Sequence, residues 1–377
     1  MSKQPDVLII GGGVIGLTTA YFLAREGVSV AVMDKGDFGQ EASWAGAGIL
    51  PPGNPQQART PFQQLRSHSA ALFPTLSAEL RDRTGVDNGY LRCGGLEFTD
   101  TESDATAEEW RSEGIAFEPV DGQRLRHLEP ALGPELGAAF HLPDMAQVRN
   151  PRHIRALLAG CQSLGARLQP GCPVSGFEIQ GKRVTAVRTD SGLAKAGQFL
   201  LAAGAWSETL LQQIGWRPGI HPVRGQIALI NTGAPLFHRI LLWGARYLVP
   251  RPDGRVLIGS TEEDAGFDKR TTTRAIGDLL TLAYRLVPRL AEAHLERCWA
   301  GLRPGSPDGL PFLGAVPGFE NLFVAAGHFR AGIQLSPATA LVMKELLLGQ
   351  PLTVSLESFR LDRAPPLTLP SPPPRRG

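Results

Sequence analysis

Cysteine is scarce in this sequence. Its four copies, Cys93, Cys161, Cys172 and Cys298, form no C-x-x-C pair and have no histidine at zinc-finger spacing. That pattern excludes a disulfide-stapled fold and a zinc site, and it predicts reduced, mostly buried thiols with no metal bound. An excess of charge is missing too: 38 Lys and Arg against 36 Asp and Glu leave a net charge of +2. So even a balance gives nucleic acid or an anionic membrane surface no electrostatic handle. No apolar run nears the ~18 residues a membrane span needs, because Arg25-Glu26 ends the longest helical candidate. The amino terminus, Met1-Ser2-Lys3-Gln4-Pro5, leads directly into an apolar strand and leaves no stretch for a signal peptide. These absences predict a soluble, cytoplasmic protein. At 377 residues the chain is long enough for a large core in two domains.

Glycine, by contrast, is plentiful, and the chain is organised around one use of it. Val7 to Ile10 is a continuous apolar run that reads as a buried parallel strand. Gly11, Gly13 and Gly16 follow at G-x-G-x-x-G spacing, and Val14 to Glu26 carries apolar side chains at helical intervals. Gly27 closes that helix, Val28 to Met33 forms a second strand, and Asp34 stands at its end. Each part suits a dinucleotide. Gly11 permits the tight turn, Gly13 leaves room for a pyrophosphate against the backbone, and Gly16 lets helix and sheet pack closely. The helix start attracts phosphate, and Asp34 can accept hydrogen bonds from a ribose hydroxyl while repelling a 2′-phosphate. A bare glycine motif is weak evidence; strand, helix, second strand and acid in order make it strong.

Further on, Gly36 to Gly53 is rich in small residues, as a backbone lying against something flat would be; an ordinary loop is the alternative. Thr60 to Thr84 reads as helix, Tyr90 to Phe98 as one strand, Ala105 to Glu113 as a surface helix and Gly137 to Leu142 as strand. Pro151 to Leu164 starts with proline as helices often do, and Val174 to Ile179 and Arg183 to Thr189 pair across a turn at Gln180-Gly181-Lys182. Gln198 to Ala203 runs into Gly204, the carboxyl end of a strand, where α/β sheets place ligands. From Gly225 to Ile258 the pattern turns to β, with a hairpin turn at Asp253-Gly254; Thr271 to Leu286 is helix, and Cys298 to Arg303 is strand. Asn321 to Ala326, Gly327 and a helix from about Ile333 to Leu348 repeat the strand, glycine turn, helix unit. Three distant segments thus end near one ligand, which predicts an α/β fold with a discontinuous nucleotide domain (1–88, 147–220 and 299–363) and a β-rich domain (89–146 and 221–298). The Pro-rich stretch 364–377 is expected neither to pack nor to have a role.

The later motifs are more specific. From the Gly11 turn through Ser43 to Leu50, Trp299-Ala300-Gly301-Leu302-Arg303-Pro304-Gly305 and Gly327-His328-Phe329-Arg330-Ala331-Gly332-Ile333, the chain resembles the flavin-dependent amine oxidases of the D-amino-acid oxidase group. Within that group it is most similar to the glycine oxidases of thiamine biosynthesis, over nearly the whole chain except the tail. The resemblance implies a Rossmann-like FAD domain of the glutathione-reductase type with a substrate domain on a mostly antiparallel sheet. It also implies non-covalent FAD, a small amino-acid substrate (glycine, sarcosine or a small D-amino acid) oxidised to the imine, molecular oxygen reduced to hydrogen peroxide, and a homo-oligomer. No cysteine matches a flavin attachment site, and Cys298, on the strand leading to Arg303, is more simply a core residue. By the same resemblance FAD is held by Gly11, Gly13, Val14, Ile15 and Gly16, by Asp34 and Lys35, and by Ala42, Ser43, Ala47, Gly48 and Ile49. Val174 contributes through its backbone, and Gly204, His328, Phe329, Arg330, Ala331, Gly332, Ile333 and Gln334 complete the set.

Chemistry supports this. Oxidation of an amino acid at its α-carbon needs a neutral amine and correct placement rather than a strong base, so a clamp on the carboxylate matters most. Arginine offers a planar fork for that purpose. Arg303 matches the group's carboxylate-binding arginine, Tyr247 the tyrosine on the same carboxylate, and Arg330 a second arginine near the substrate. Taken alone, Arg303 reads equally well as a structural ion pair at a strand end, and the Gly-Leu-Arg-Pro-Gly setting favours the clamp; the less favoured alternatives are a core or rim tyrosine for Tyr247 and a surface cation near a helix start for Arg330. Backbone N–H groups after Gly327 are placed to stabilise negative charge on the reduced cofactor, and His328 suits packing or hydrogen bonding in the turn. Two departures stand out. Glu262 replaces an apolar methionine, and Gly244-Ala245-Arg246 lacks a histidine seen in some relatives. Glu262 either faces the pocket or points to water on its acidic loop. The rival readings are a D-amino-acid dehydrogenase with another electron acceptor, a flavoprotein acting on modified nucleic acid bases, and a non-catalytic flavin binder.

Overall fold

The computed structural model describes residues 4–98 and 103–363. Val7–Ile10 lies inside a six-stranded sheet, between Gln198–Leu201 on one side and Val30–Met33 on the other, all parallel. Leu322–Ala326 and Arg167–Gln169 extend it in parallel, and Phe312–Ala315 adds an antiparallel edge. The apolar run is continuous because both faces are covered. Val7 and Ile9 join a core with the helices Val14–Arg25, Pro61–Thr84, Asn150–Ser163 and Gly332–Leu347. Leu8 and Ile10 point the other way, to Phe177, Val184 and Val187 of a small antiparallel sheet formed by Val174–Gln180, Arg183–Thr189 and Gly192–Ala194. The long helix Pro61–Thr84 starts at a capping box, in which Thr60 and Gln63 each accept the other's backbone N–H, and ends at Gly85 in the left-handed region.

The second sheet has eight strands, ordered His294–Gly305, His221–Asn231, Arg255–Gly259, Arg246–Pro250, Ile240–Trp243, Gly95–Phe98, Ala138–Leu142 and Glu118–Asp121. Its pairs are antiparallel except Ile240–Trp243 with Gly95–Phe98. The amphipathic helix Thr273–Leu286 covers one face, burying Ile276, Leu279, Ala283 and Leu286 against Ala228, Ile230 and Ile258.

Three local expectations are corrected. Tyr90 to Phe98 is two strands: Leu91–Arg92 pairs with Ala146–Gln147, and after Gly94, at φ +76°, Gly95–Phe98 enters the large sheet. The strand Glu118–Asp121 and the helix Gly122–Leu128, capped by Asp121, were not expected. The small-residue stretch is not loop throughout, since Ala42–Ala45 makes one helical turn and Ile49–Leu50 a short strand. The expected domain boundary between 298 and 299 falls inside the strand His294–Gly305, which pairs along its length with His221–Asn231. Of the cysteines, only Cys161 is buried; Cys93, Cys172 and Cys298 are half-buried, all four are free, and Cys298 packs against the core of the large sheet. No helix among the described residues is long and apolar enough to cross a membrane. The Pro-rich stretch from 364 lies outside the described residues.

Candidate active site

A cavity of about 650 Å³ is lined by residues of both large sheets. At one end the first strand delivers the glycine turn. Gly11 sits at φ +111°, and a Cβ there would run into the carbonyl of Ala202, so only glycine fits. Gly16 leaves the cavity lining and packs under the turn, where a Cβ would strike the carbonyl of Gly11. Val14 N–H donates to Ser43 Oγ at 2.9 Å, which ties the small-residue stretch to the helix start. The other first-turn amides have no acceptor within the helix. Asp34 closes this end. Its Oδ2 accepts from Gly12 N–H at 2.7 Å and its Oδ1 from Gly36 N–H at 2.9 Å, while burial pushes the carboxyl pKa up against those bonds. Beside it, Lys35 Nζ lies 3.2 Å from the centroid of the Trp206 ring, and burial lowers its pKa.

At the other end the lining changes from backbone to side chains. Arg303, near the end of its strand, donates from Nη1 to the Thr261 carbonyl at 3.1 Å and from Nη2 to Ser260 Oγ at 2.5 Å. Both acceptors are neutral, and Arg303 has no ion pair among the described residues. Burial lowers its pKa and raises that of the Tyr247 hydroxyl beside it. Two glycines make the room. A Cβ at Gly225 would overlap the Arg303 guanidinium, and one at Gly259, opposite Tyr247 in the sheet, would overlap the phenol. A half-buried cation with only neutral partners is poised for an anion.

Arg330 is different. It pairs with Glu262, and both side chains are about half exposed at the cavity. Glu262 combines its two readings: it borders the cavity and is itself exposed to water. Arg246 also borders the cavity but is exposed. The turn Gly327 to Ala331 comes off the parallel sheet with Phe329 at φ +48°, a costly angle for a residue with a side chain. His328 is buried, its Nε2 is 3.1 Å from Thr339 Oγ1, and burial drops its pKa to about 3, so it stays neutral. Gln334 Nε2 is buried without a hydrogen-bond partner among the described residues, and its side chain lines the cavity.

The cavity therefore gathers Gly11, Gly13, Val14, Ile15, Asp34, Lys35, Ala42, Ser43, Ala47, Gly48, Ile49, Val174, Gly204, Tyr247, Arg303 and the whole run His328 to Gln334. Gly16 alone of the expected residues stands outside it. Sequence reasoning missed Ser260, Gly225, Gly259 and Trp206. The two glycines carry no local signal, because each is defined by a side chain it makes room for on a neighbouring strand.

A dinucleotide-binding α/β sheet joined to a mostly antiparallel sheet, with one cavity spanning both, defines a flavoprotein oxidoreductase class. The chain belongs to the FAD-dependent oxidoreductase family, whose model, described as "FAD dependent oxidoreductase", matches residues 6–346. Among curated proteins it is 39% identical to glycine oxidase of Pseudomonas putida over 351 residues, covering 93% of this chain and 95% of that one. It is 36% identical to the bifunctional protein ThiO/ThiG of Synechocystis sp. over 99% of this chain and 56% of the relative. Among solved structures, glycine oxidase from Geobacillus kaustophilus superposes with a TM-score of 0.91 at 33% identity, covering 96% of this chain and all of that one (100%). The residues fit the cofactor. The free first-turn amides suit its phosphates, Asp34 suits a ribose hydroxyl, and the unpartnered Gln334 amide has an acceptor to find.

Proposed function

We propose that this protein is an oxidase of glycine or another small amino acid, sarcosine and small D-amino acids included, that yields the imine and hydrogen peroxide. The observation that carries this reading is Arg303: a half-buried guanidinium at the cavity end, bonded only to neutral oxygens and next to the Tyr247 hydroxyl. Its fork takes the substrate carboxylate, Tyr247 adds a hydrogen bond, and Ser260 and the Thr261 carbonyl hold the guanidinium in place. The α-carbon is thereby fixed, and the amine reacts in its neutral form. Bound FAD supplies the two-electron acceptor, which oxygen restores with release of hydrogen peroxide. Asp34, the first-turn amides of Val14–Arg25, Ser43, Gly48, Val174 and the turn from His328 to Gln334 hold the cofactor without a covalent bond. In the cell, on this reading, the cytoplasmic enzyme works as a homo-oligomer and provides the glycine imine for the thiazole of thiamine.

The test is oxygen uptake and peroxide release by FAD-loaded protein over glycine, sarcosine, D-alanine and D-proline. Turnover is expected with glycine and sarcosine at least, with flavin that acid or heat releases. Protein that binds FAD yet oxidises none of the four contradicts the proposal.

A further inference from the structure

The two arginines at the substrate end are in opposite states. Arg303 presents an uncompensated charge, whereas the charge of Arg330 is already met by Glu262. One short segment sets both states: Ser260 and Thr261 accept from Arg303, and Glu262, next in the chain, takes Arg330. That segment is no free loop. Glu263 exchanges two backbone hydrogen bonds with Arg224, at 2.9 and 3.0 Å, and its carboxylate accepts from Gln226 Nε2 at 2.7 Å. The backbone next to Glu262 is thereby anchored, and Glu262 itself is paired with Arg330 at the cavity mouth. Arg246 also borders the cavity and is exposed, as Arg330 and Glu262 are, but it has no ion pair among the described residues.

We infer that Glu262 restricts the substrate to a single carboxylate, by occupying Arg330 and setting its own negative charge where a second anionic group would lie. This rests on the oxidase reading given above. A monocarboxylate, with or without an N-methyl group, needs only Arg303. A dicarboxylate has to displace Glu262 from Arg330 and then sit beside it, which is selection by repulsion as much as by attraction. Glu262 is thus a specificity-determining residue.

The test uses FAD-loaded protein, wild type and Glu262→Gln, with Glu262→Met as a second variant should the first fail to fold. Binding of propionate (one charge) and malonate (two charges) is measured by calorimetry, together with kcat/KM for glycine and for iminodiacetate. Wild type should favour propionate by at least tenfold. Replacing Glu262 should shrink that ratio at least tenfold, through tighter malonate binding and a lower KM for iminodiacetate. Equal binding of both acids by wild type, or a ratio unmoved by either variant, overturns the inference. Because carboxylate binding needs no turnover, protein that oxidises no amine would refute the oxidase reading while the binding ratio still decides the role of Glu262.

Discussion

The two ends of the cavity are built from different materials. The nucleotide end is made largely of backbone: a glycine turn, amides of a helix start, small residues, and one carboxylate bonded to the amides of Gly12 and Gly36. The substrate end is made of side chains, Arg303, Tyr247, Ser260, Glu262 and Arg330, carried on an antiparallel sheet and the last glycine turn. Backbone is fixed by the fold, so the first end suits a constant group. Side chains can change without moving a strand, so the second end is where a particular substrate is selected. The difference predicts that mutations at one end act on cofactor retention, and at the other on kcat/KM and substrate choice.

The largest expected effect is at the substrate end. On the proposed role of Arg303, Arg303→Ala removes two charge-assisted bonds to the substrate, each of about 1.5–3 kcal/mol. It should therefore lower kcat/KM by roughly 3–5 kcal/mol, much of it in KM, with FAD retained. Arg303→Lys restores charge without the fork and should recover part. Loss of flavin in the alanine variant would break the division between the ends.

Acid should act on the nucleotide end first. The buried histidines His153 and His328 both lie on its elements, and burial lowers their pKa values to about 4 and about 3. Both are neutral when folded, whereas an unfolded histidine takes a proton below about pH 6.5, so stability falls as pH drops from there toward 4. For His153 the loss at pH 4 is on the order of 3 kcal/mol. Flavin release and Tm followed from pH 7 to 4 check it, and a flat profile contradicts it.

Gly225→Ala adds one methyl group that the Arg303 guanidinium must avoid. Displacing the fork should cost about 2 kcal/mol in kcat/KM, within the range for overpacking, and leave FAD affinity unchanged. Smallest of all, Asp34→Asn keeps an acceptor but loses its charge. FAD binding should weaken by about 1 kcal/mol, seen as roughly a fivefold rise in Kd, with little change in KM for glycine.

The same contrast governs what could be read from the sequence. The nucleotide end was legible because its parts are contiguous, from Val7 to Asp34, in a recognised spacing. The long helices followed from apolar periodicity, as over Thr60 to Thr84, while the caps at Thr60 and Gly85 came from the structure. Arg303 and Tyr247 were singled out by resemblance, and the structure places both on the cavity lining. Gly225 and Gly259 were missed because an empty space has no sequence signature until the strand pairing of His221–Asn231 with His294–Gly305, and of Arg246–Pro250 with Arg255–Gly259, is known. The break at Gly94 was missed for a related reason: the partners that claim the two halves, Ala146–Gln147 and Ile240–Trp243, lie far along the chain. Glu262 stood out as a departure, but only the structure supplied its partner, Arg330.

The central claim is that Arg303 recognises a carboxylate. The most direct measurement compares kcat/KM for glycine and glycinamide, which differ in that group alone, in wild type and in Arg303→Ala. The account predicts that wild type prefers glycine by at least about 100-fold, as expected for about 3 kcal/mol, and that the preference collapses to within a few-fold in the variant. A preference of the same size in both proteins would contradict it.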